Sequence, residues 1–244
     1  MEEPDWLDDD PFGDEGGNVG GAETVFDPLE PMNRFFFEFN DNLYYLILKP
    51  VNRFYSIVVP REFRTCFGNF FYNLASPIRL VNNLLQGDFV DAGAVLSRFV
   101  INSTLGVYGF GDVASQEFGL KPRPGDLGQT LGVWGVGEGA YLCLPVFGPS
   151  NLRDIVGFAG DSYMHPVGHF NDGNMVANIA FYTGRQVNNL SLNPNVYEEL
   201  KSYALDPYVS MREAYFDYRV KLISGDQAAD GHPQPLMDQE GKYE

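Results

Sequence analysis

Residues 27–48 read DPLEPMNRFFFEFNDNLYYLIL. Asp27, Pro28 and Glu30 stand as N-cap, N1 and N3 of a helix. A capping carboxylate, a proline with no N–H to lose and an acid in the first turn all suit its start. Beyond them, Phe35, Phe36, Phe37, Phe39, Leu43, Tyr44, Tyr45, Leu46, Ile47 and Leu48 cover most of the circumference. Arg34, Glu38 and Asp41 leave only a narrow polar stripe at helical spacing. A helix so apolar is buried on most sides or touches something besides water. Residues 33–48 would span about 24 Å, short of a bilayer core, and acids within a span are costly. The helix is read as a central core helix or as one partly inserted at a membrane interface.

The same punctuation recurs downstream. Ser76-Pro77, Asn193-Pro194 and Asp206-Pro207 are cap-plus-proline starts, and Gly87-Asp88 ends one helix and opens the next with Asp91 at N3. The pattern predicts helices over 28–48, 51–57, 62–73, 77–86, 89–105, 174–190, 195–204 and 207–223. Alternation is scarce, and Gly139–Phe147 is the best extended piece. The class is mainly α.

The chain has 244 residues, 44% of them apolar and 15% aromatic, enough to bury a substantial core. This composition excludes a disulfide miniprotein, a coiled coil and a wholly disordered chain. The net charge of −17 argues against a nucleic-acid partner, but it is unevenly placed. Residues 1–30 hold eleven acids and no Lys or Arg, and residues 225–244 hold five acids against Lys242, so the body between is close to neutral. Residues 1–24 read as a flexible acidic tether, 25–224 as the helical domain and 225–244 as a flexible tail. The acidic start lacks the basic and apolar regions of a secretory signal, and no stretch approaches transmembrane length.

Between Gly106 and Tyr141 many glycines interleave with aromatics: GVYGFGD at 106–112, GLKPRPG at 119–125 and GVWGVGEGAY at 132–141. Such a segment is a loop-rich cap or a flexible apolar lining around a cavity. It holds no phosphate-loop pattern, and the chain has no nucleophile elbow. Asp161, His165 and His169 recur at helical spacing, but Pro166 and Gly168 would break the helix, so no metal site and no cofactor are expected. Asp112, Asp126, Glu138 and Asp154 read as caps and turn formers, and an enzyme is not expected. Cys66 and Cys143 are compatible with one disulfide and equally with two buried thiols.

An ordered set of motifs carries a resemblance. DPLEPMNR at 27–34 with Phe39-Asn40, NNLLQGD at 82–88, Arg98-Phe, Asn102, Leu105-Gly106, Gly109-Phe110 and DVA at 112–114 come first. GQTLG at 128–132, GVG at 135–137, Leu144-Pro145, Gly148, LRD at 152–154 and DPYVSMREAYF at 206–216 follow. Over residues 25–224 the chain resembles the MlaA/VacJ family of outer-membrane lipoproteins. The resemblance implies a ring-like helical domain around a central amphipathic channel. It implies phospholipid as cargo, removed from the outer leaflet of a Gram-negative outer membrane and passed to a periplasmic lipid carrier protein, which maintains lipid asymmetry. It places the protein in the inner leaflet, on the periplasmic side, beside a trimeric porin, with no bond broken. Members carry a signal peptide and a lipid-modified cysteine near the N terminus. Neither cysteine here stands there, so the anchor is not carried over. In the periplasm Cys66 and Cys143 could pair.

On that reading Phe36, Phe39, Leu43, Tyr44 and Ile47 are core or membrane-facing, and Asn40 and Asp41 line or brace the channel. Tyr108, Phe110, Trp134, Val136 and Tyr141 are the expected apolar lining. Gly109, Gly132, Gly135 and Gly137 allow close packing and motion, and Lys121 and Arg123 are candidates to meet a phosphate. A soluble helical lipid-binding module with an apolar pocket is the alternative.

Overall fold

The computed structural model describes residues 27–170 and 174–225. The expected tether and nearly all of the expected tail lie outside the described residues.

The first helix runs further than the sequence predicts. α1 (Glu30–Leu43), a π-helical stretch (Tyr44–Leu48) and α2 (Lys49–Val58) form one rod. Pro50 has no N–H and its ring crowds the preceding turn, so a break is the simple expectation. Instead the wider π turn, in which Lys49 N–H reaches Tyr44 O, takes the proline in. The start also differs. Leu29 is the N-cap, no side chain caps the helix, and Asp27 is used elsewhere.

α3 (Arg61–Leu74), α4 (Ser76–Gln86) and α5 (Phe89–Thr104) follow the predicted bounds to within a residue. Gly87 ends α4 in the left-handed region at φ 78°, and Asp88 accepts the N–H of Asp91 at the start of α5. The middle of the chain is more regular than its glycines suggest. It forms α6 (Val113–Gln116), α7 (Leu127–Val133), strands β1 (Tyr141–Leu144) and β2 (Gly148–Asn151), α8 (Leu152–Met164) and α9 (Pro166–Phe170). β1 and β2 make an antiparallel hairpin with Tyr141 opposite Asn151 and Leu144 opposite Gly148. α10 (Met175–Leu192), α11 (Val196–Ser202) and α12 (Pro207–Ser224) complete the order, with Asp206 accepting the N–H groups of Tyr208 and Val209. No described helix is long and apolar enough to cross a membrane.

α7 packs on α8, α4 on α5, α10 along α2 and α3, and α12 against α7, α11 and β2. The α7–α8 approach needs Gly157, where a Cβ would lie 2.2 Å from the backbone N of Gly128.

The interior overturns the expectation of a substantial apolar core. Among the described residues eleven apolar side chains are buried, against seventeen polar or charged ones. The apolar cluster is small: Tyr141, Cys143, Tyr208 and Phe216, flanked by Phe36, Phe37, Val209 and Tyr215. Elsewhere hydrogen bonds join the helices. Asn82 donates to Asp161 (3.0 Å) and accepts from Thr130 Oγ1 (2.9 Å). Asn188 accepts from Tyr55 Oη (2.9 Å) and donates to Arg64 O (3.0 Å). Arg98 grips Asp112 with two bonds (2.8 and 2.9 Å), and Asn102 adds a third (2.9 Å). Arg219 spans Asp126 (2.8 Å) and Asp154 (2.8 Å), and Tyr215 also donates to Asp154. Asp27 accepts from Asn33 (2.8 Å), Tyr208 Oη and Arg212 (3.2 Å), tying the start of α1 to α12. Arg212 and Arg219 both pair with carboxylates.

Two outcomes follow. Arg219→Ala leaves Asp126 without its cation and Asp154 with Arg153 alone, and equilibrium denaturation should show a loss of about 3 kcal/mol. Burial pushes Asp112 up, but hydrogen bonds from Ser115, Arg98 and Asn102 outweigh it and hold the carboxyl below its usual range. A depressed carboxyl contributes stability above its unfolded value of about 3.9 and loses it as pH falls through the folded value. The stability advantage of wild type over Asp112→Asn is therefore full at pH 7 and shrinks below about pH 4 in denaturation curves taken across that range.

Candidate functional site

The glycine-rich region and the hairpin that follows it form three tips. The first is a tight turn at residues 105–111, wound on the end of α5. Gly109 N–H bonds Asn102 O (2.8 Å) and Gly111 N–H bonds Gly106 O (2.8 Å). Val107 (φ 51°) and Tyr108 (φ 57°) sit in the left-handed region, which is costly for a β-branched and a bulky residue. Both are exposed, Tyr108 by 79%. The turn is pinned from below: Phe110 stacks on Phe70 (4.8 Å between centroids), its carbonyl accepts from Asn69 (3.2 Å), and buried Gly109 packs on Asn73.

The second tip runs from Trp134 to Ala140. Trp134 and Val136 are exposed, and the Trp134 indole N–H donates to Leu85 O (3.0 Å), bracing the tip on α4. Gly135 has φ +84°, and a Cβ at Gly135 or Gly137 meets nothing within 4 Å. Gly132, at the foot of the tip, packs on Ile223 and Arg153.

The third tip is the hairpin turn, with Val146 (φ 73°) and Phe147 both exposed. Two asparagines two helical turns apart on α1 hold this hairpin. Asn33 donates to Tyr141 O (3.0 Å) and accepts from Cys143 N (2.9 Å). Asn40 donates to Leu144 O (2.8 Å) and accepts from Val146 N (2.6 Å). Their amides stand where a neighbouring strand would, satisfying the free edge of β1. Asn40 thus braces the hairpin. Asp41 takes Lys201 (2.7 Å) and Tyr197 Oη (3.0 Å) of α11.

Several expectations are corrected. Tyr141, expected on an apolar lining, is 1% exposed at the centre of the apolar cluster, because β1 turns it toward Tyr208 and Phe216. Arg123 is not open to a ligand alone: it pairs with Asp91 (3.3 Å), and Tyr72 Oη bonds both its backbone N and O. Lys121 is exposed. Cys66 on α3 and Cys143 on β1 are both free, and burial pushes the Cys143 thiol up to about 11, while an Asn40 contact at 3.7 Å opposes the rise. Asp161 serves Asn82 and the N–H of Leu127 (2.9 Å). α8 ends at His165 before Pro166, and no described group of His, Cys, Asp or Glu is placed to hold a metal. His169 lies outside the residues whose side chains are described.

The helix residues divide. Tyr44 is buried, its hydroxyl reaching Glu198 (3.1 Å), Phe36 and Leu43 are half-buried, and Phe39 and Ile47 are exposed. The residue missed by sequence reasoning is Asn33. Its signal is the seven-residue spacing to Asn40, which places both on one face.

Fold and site together define a mainly helical protein with a polar interior, an apolar exterior and three strained or glycine-bearing loop tips. The MlaA lipoprotein family model matches residues 25–222, and this chain belongs to that family. The intermembrane phospholipid transport system lipoprotein MlaA of Escherichia coli (strain K12) is 35% identical over 202 residues, 82% of this chain and 79% of that protein. An uncharacterized protein of Rickettsia bellii is 31% identical over 219 residues, 88% of this chain and 84% of its own. A solved chain from a study of the structural basis for maintenance of bacterial outer membrane lipid asymmetry matches with TM-score 0.72 and 32% identity. That match covers 81% of this chain and 99% of the solved one.

The two asparagines should behave differently on truncation. Asn33→Ala strands buried Tyr141 O and Cys143 N, at about 1–3 kcal/mol for each group, and should lower global stability in denaturant. Asn40→Ala frees the hairpin tip locally, read as faster hydrogen exchange at the Val146 amide with a smaller global loss.

Proposed function

We propose that the protein transports phospholipids at the outer membrane of a Gram-negative bacterium. In this reading it takes lipid misplaced in the outer leaflet and passes it to a periplasmic carrier, which maintains asymmetry. The observation that carries it is the inverted distribution of side chains. Phe35, Leu46, Phe54, Ile57, Phe63 and Phe89 are all more than 60% exposed, while asparagines and arginines fill the interior. So much apolar surface needs an apolar surrounding. The name of the E. coli relative and the subject of the structural match supply the cargo and the membrane.

A phospholipid changing leaflet must keep its headgroup wet and its tails dry, because a charged group is costly in hydrocarbon. A ring of helices with a polar inner wall lowers that cost. The exposed faces of the α1–α2 rod and of α3 lie in the inner leaflet, beside a trimeric porin. Tyr108, Trp134 and Val136 give the tails an apolar rim, Lys121 meets the phosphate, and the tip from Trp134 to Ala140 is the gate. No covalent step is required of the chain.

The gate is tested at its glycines. Both positions have open space, so added methyl groups do not clash. Gly135→Ala strains a left-handed backbone by about 1–2 kcal/mol, whereas Gly137→Ala mainly removes freedom. The double variant, at normal protein level, should accumulate phospholipid in the outer leaflet, measured by surface labelling of amine headgroups. Unchanged surface labelling would overturn the gate.

A further inference from the structure

A buried acceptor without a donor stands on the wall of a cavity beside the second tip. The cavity, of about 440 Å³, lies where α4, α5, α7 and α12 meet and is lined by Gln86, Asp88, Asp91, Arg123, Gln129 and Val133 among others. Gln129 is 6% exposed. Its Nε2 donates to Leu222 O (2.9 Å) near the end of α12. A carbonyl only accepts, so the amide nitrogen must face it and Oε1 is the end left over. Among the described residues nothing donates to that Oε1, and an unmet buried acceptor is costly. Half-buried Gln86 repeats the arrangement. Thr130 Oγ1 has acceptors for its one hydrogen in Asn82 Oδ1 (2.9 Å) and Asp126 O (3.1 Å), so Gln86 Nε2 donates to it (2.9 Å) and the Gln86 amide oxygen is left over.

The charge around these oxygens is negative on balance. Arg123 pairs with Asp91 (3.3 Å), and the two cancel. Asp88 caps α5 by accepting the N–H of Asp91 (2.9 Å), which sets a full negative charge against the roughly half positive charge of that helix end. No cation pairs with Asp88 among the described residues. The 18-residue helix α12 ends at the same wall and brings the negative end of its dipole. Lys221, in its last turn, is exposed and does not line the cavity.

Oxygens that lack donors, in a negative setting, call for a ligand with N–H groups and positive charge. No aromatic ring lines the cavity among the described residues, which disfavours a quaternary ammonium, whose methyl groups donate no hydrogen bond. A primary ammonium carries three donors in a compact head. Apolar side chains lead away from the oxygens: Val90 and Val133 on the wall, and Trp134 next to Val133 on the second tip, are all exposed.

We propose that this cavity takes the ammonium of an ethanolamine phospholipid headgroup, with its N–H groups on the Gln129 and Gln86 amide oxygens and the Asp88 carboxylate and its acyl chains along Val133 and Trp134. The inference rests on the transport reading for the lipid and adds to it a preference among headgroups.

Calorimetry on the full chain in detergent tests it with dioctanoyl phosphatidylethanolamine, dioctanoyl phosphatidylcholine and O-phosphoethanolamine. The ethanolamine lipid should bind about tenfold more tightly than the choline lipid, because methylation removes charge-assisted hydrogen bonds. Phosphoethanolamine should compete with it, at lower affinity than the lipid. Asp88→Asn keeps a cap on α5 and loses the charge, and should cut the preference several-fold. Gln129→Leu, close in size, should abolish the preference with the circular dichroism unchanged. Equal binding of the two lipids, phosphoethanolamine binding as tightly as the lipid, or wild-type preference in a folded Asp88→Asn protein would each overturn the proposal and leave the transport reading standing. Binding of neither lipid would overturn both.

Discussion

Amide and guanidinium side chains that bond across elements are what the rest of this structure depends on. Asn82 joins α4 to α7 and α8, Asn188 joins α10 to α2 and α3, and Asn33 joins α1 to β1. Each replaces the apolar contact that usually holds helices together. A buried amide is stabilising only when its donors and acceptors are met, so geometry is demanded at every junction. The apolar side chains are left on the outside, and the surroundings must then supply part of what an ordinary core supplies.

The charged junctions share a logic. α12 contributes Arg212 and Arg219 and receives Asp27, Asp126 and Asp154 from three parts of the chain distant in sequence. Tyr208 donates to Asp27 and Tyr215 to Asp154, so these two acids are hydrogen-bonded by tyrosines as well as neutralised. Removing one partner therefore costs more than the pair itself contributes. The motifs at residues 27–34 and 206–216 are far apart in sequence but form one clasp in space.

Most helix ends were legible because their signals are local. Asp88 with Asp91, Gly87, and Asp206 with Pro207 do what their chemistry permits within a few residues. The π stretch was not legible, because Pro50 reads as a stop unless the turn before it widens. α8 is absent from the predicted helices, and its Gly157 and Gly160 serve close packing on α7, a contact visible only in space. Asp27 read as a cap, and only the distant Tyr208 and Arg212 explain its actual role. Of the site, the glycine-rich segment was visible as composition, but the facing of Tyr141 depended on hairpin register.

The π stretch has one more consequence, a matter of phase. At 100° per residue, Asn33 and Asn40 lie within about 20° of each other around the axis, while Asn52, twelve residues beyond Asn40, would point about 120° away. A π turn absorbs one extra residue. With that residue discounted, Asn52 falls back to within about 20° of Asn40. It then donates to Leu190 O (3.4 Å) on α10, as its two forerunners do to Tyr141 O and Leu144 O of β1. The rod thus carries one azimuthal line of amides along its whole length. A chain one residue shorter between Tyr44 and Leu48 would keep that line with a uniform α pitch.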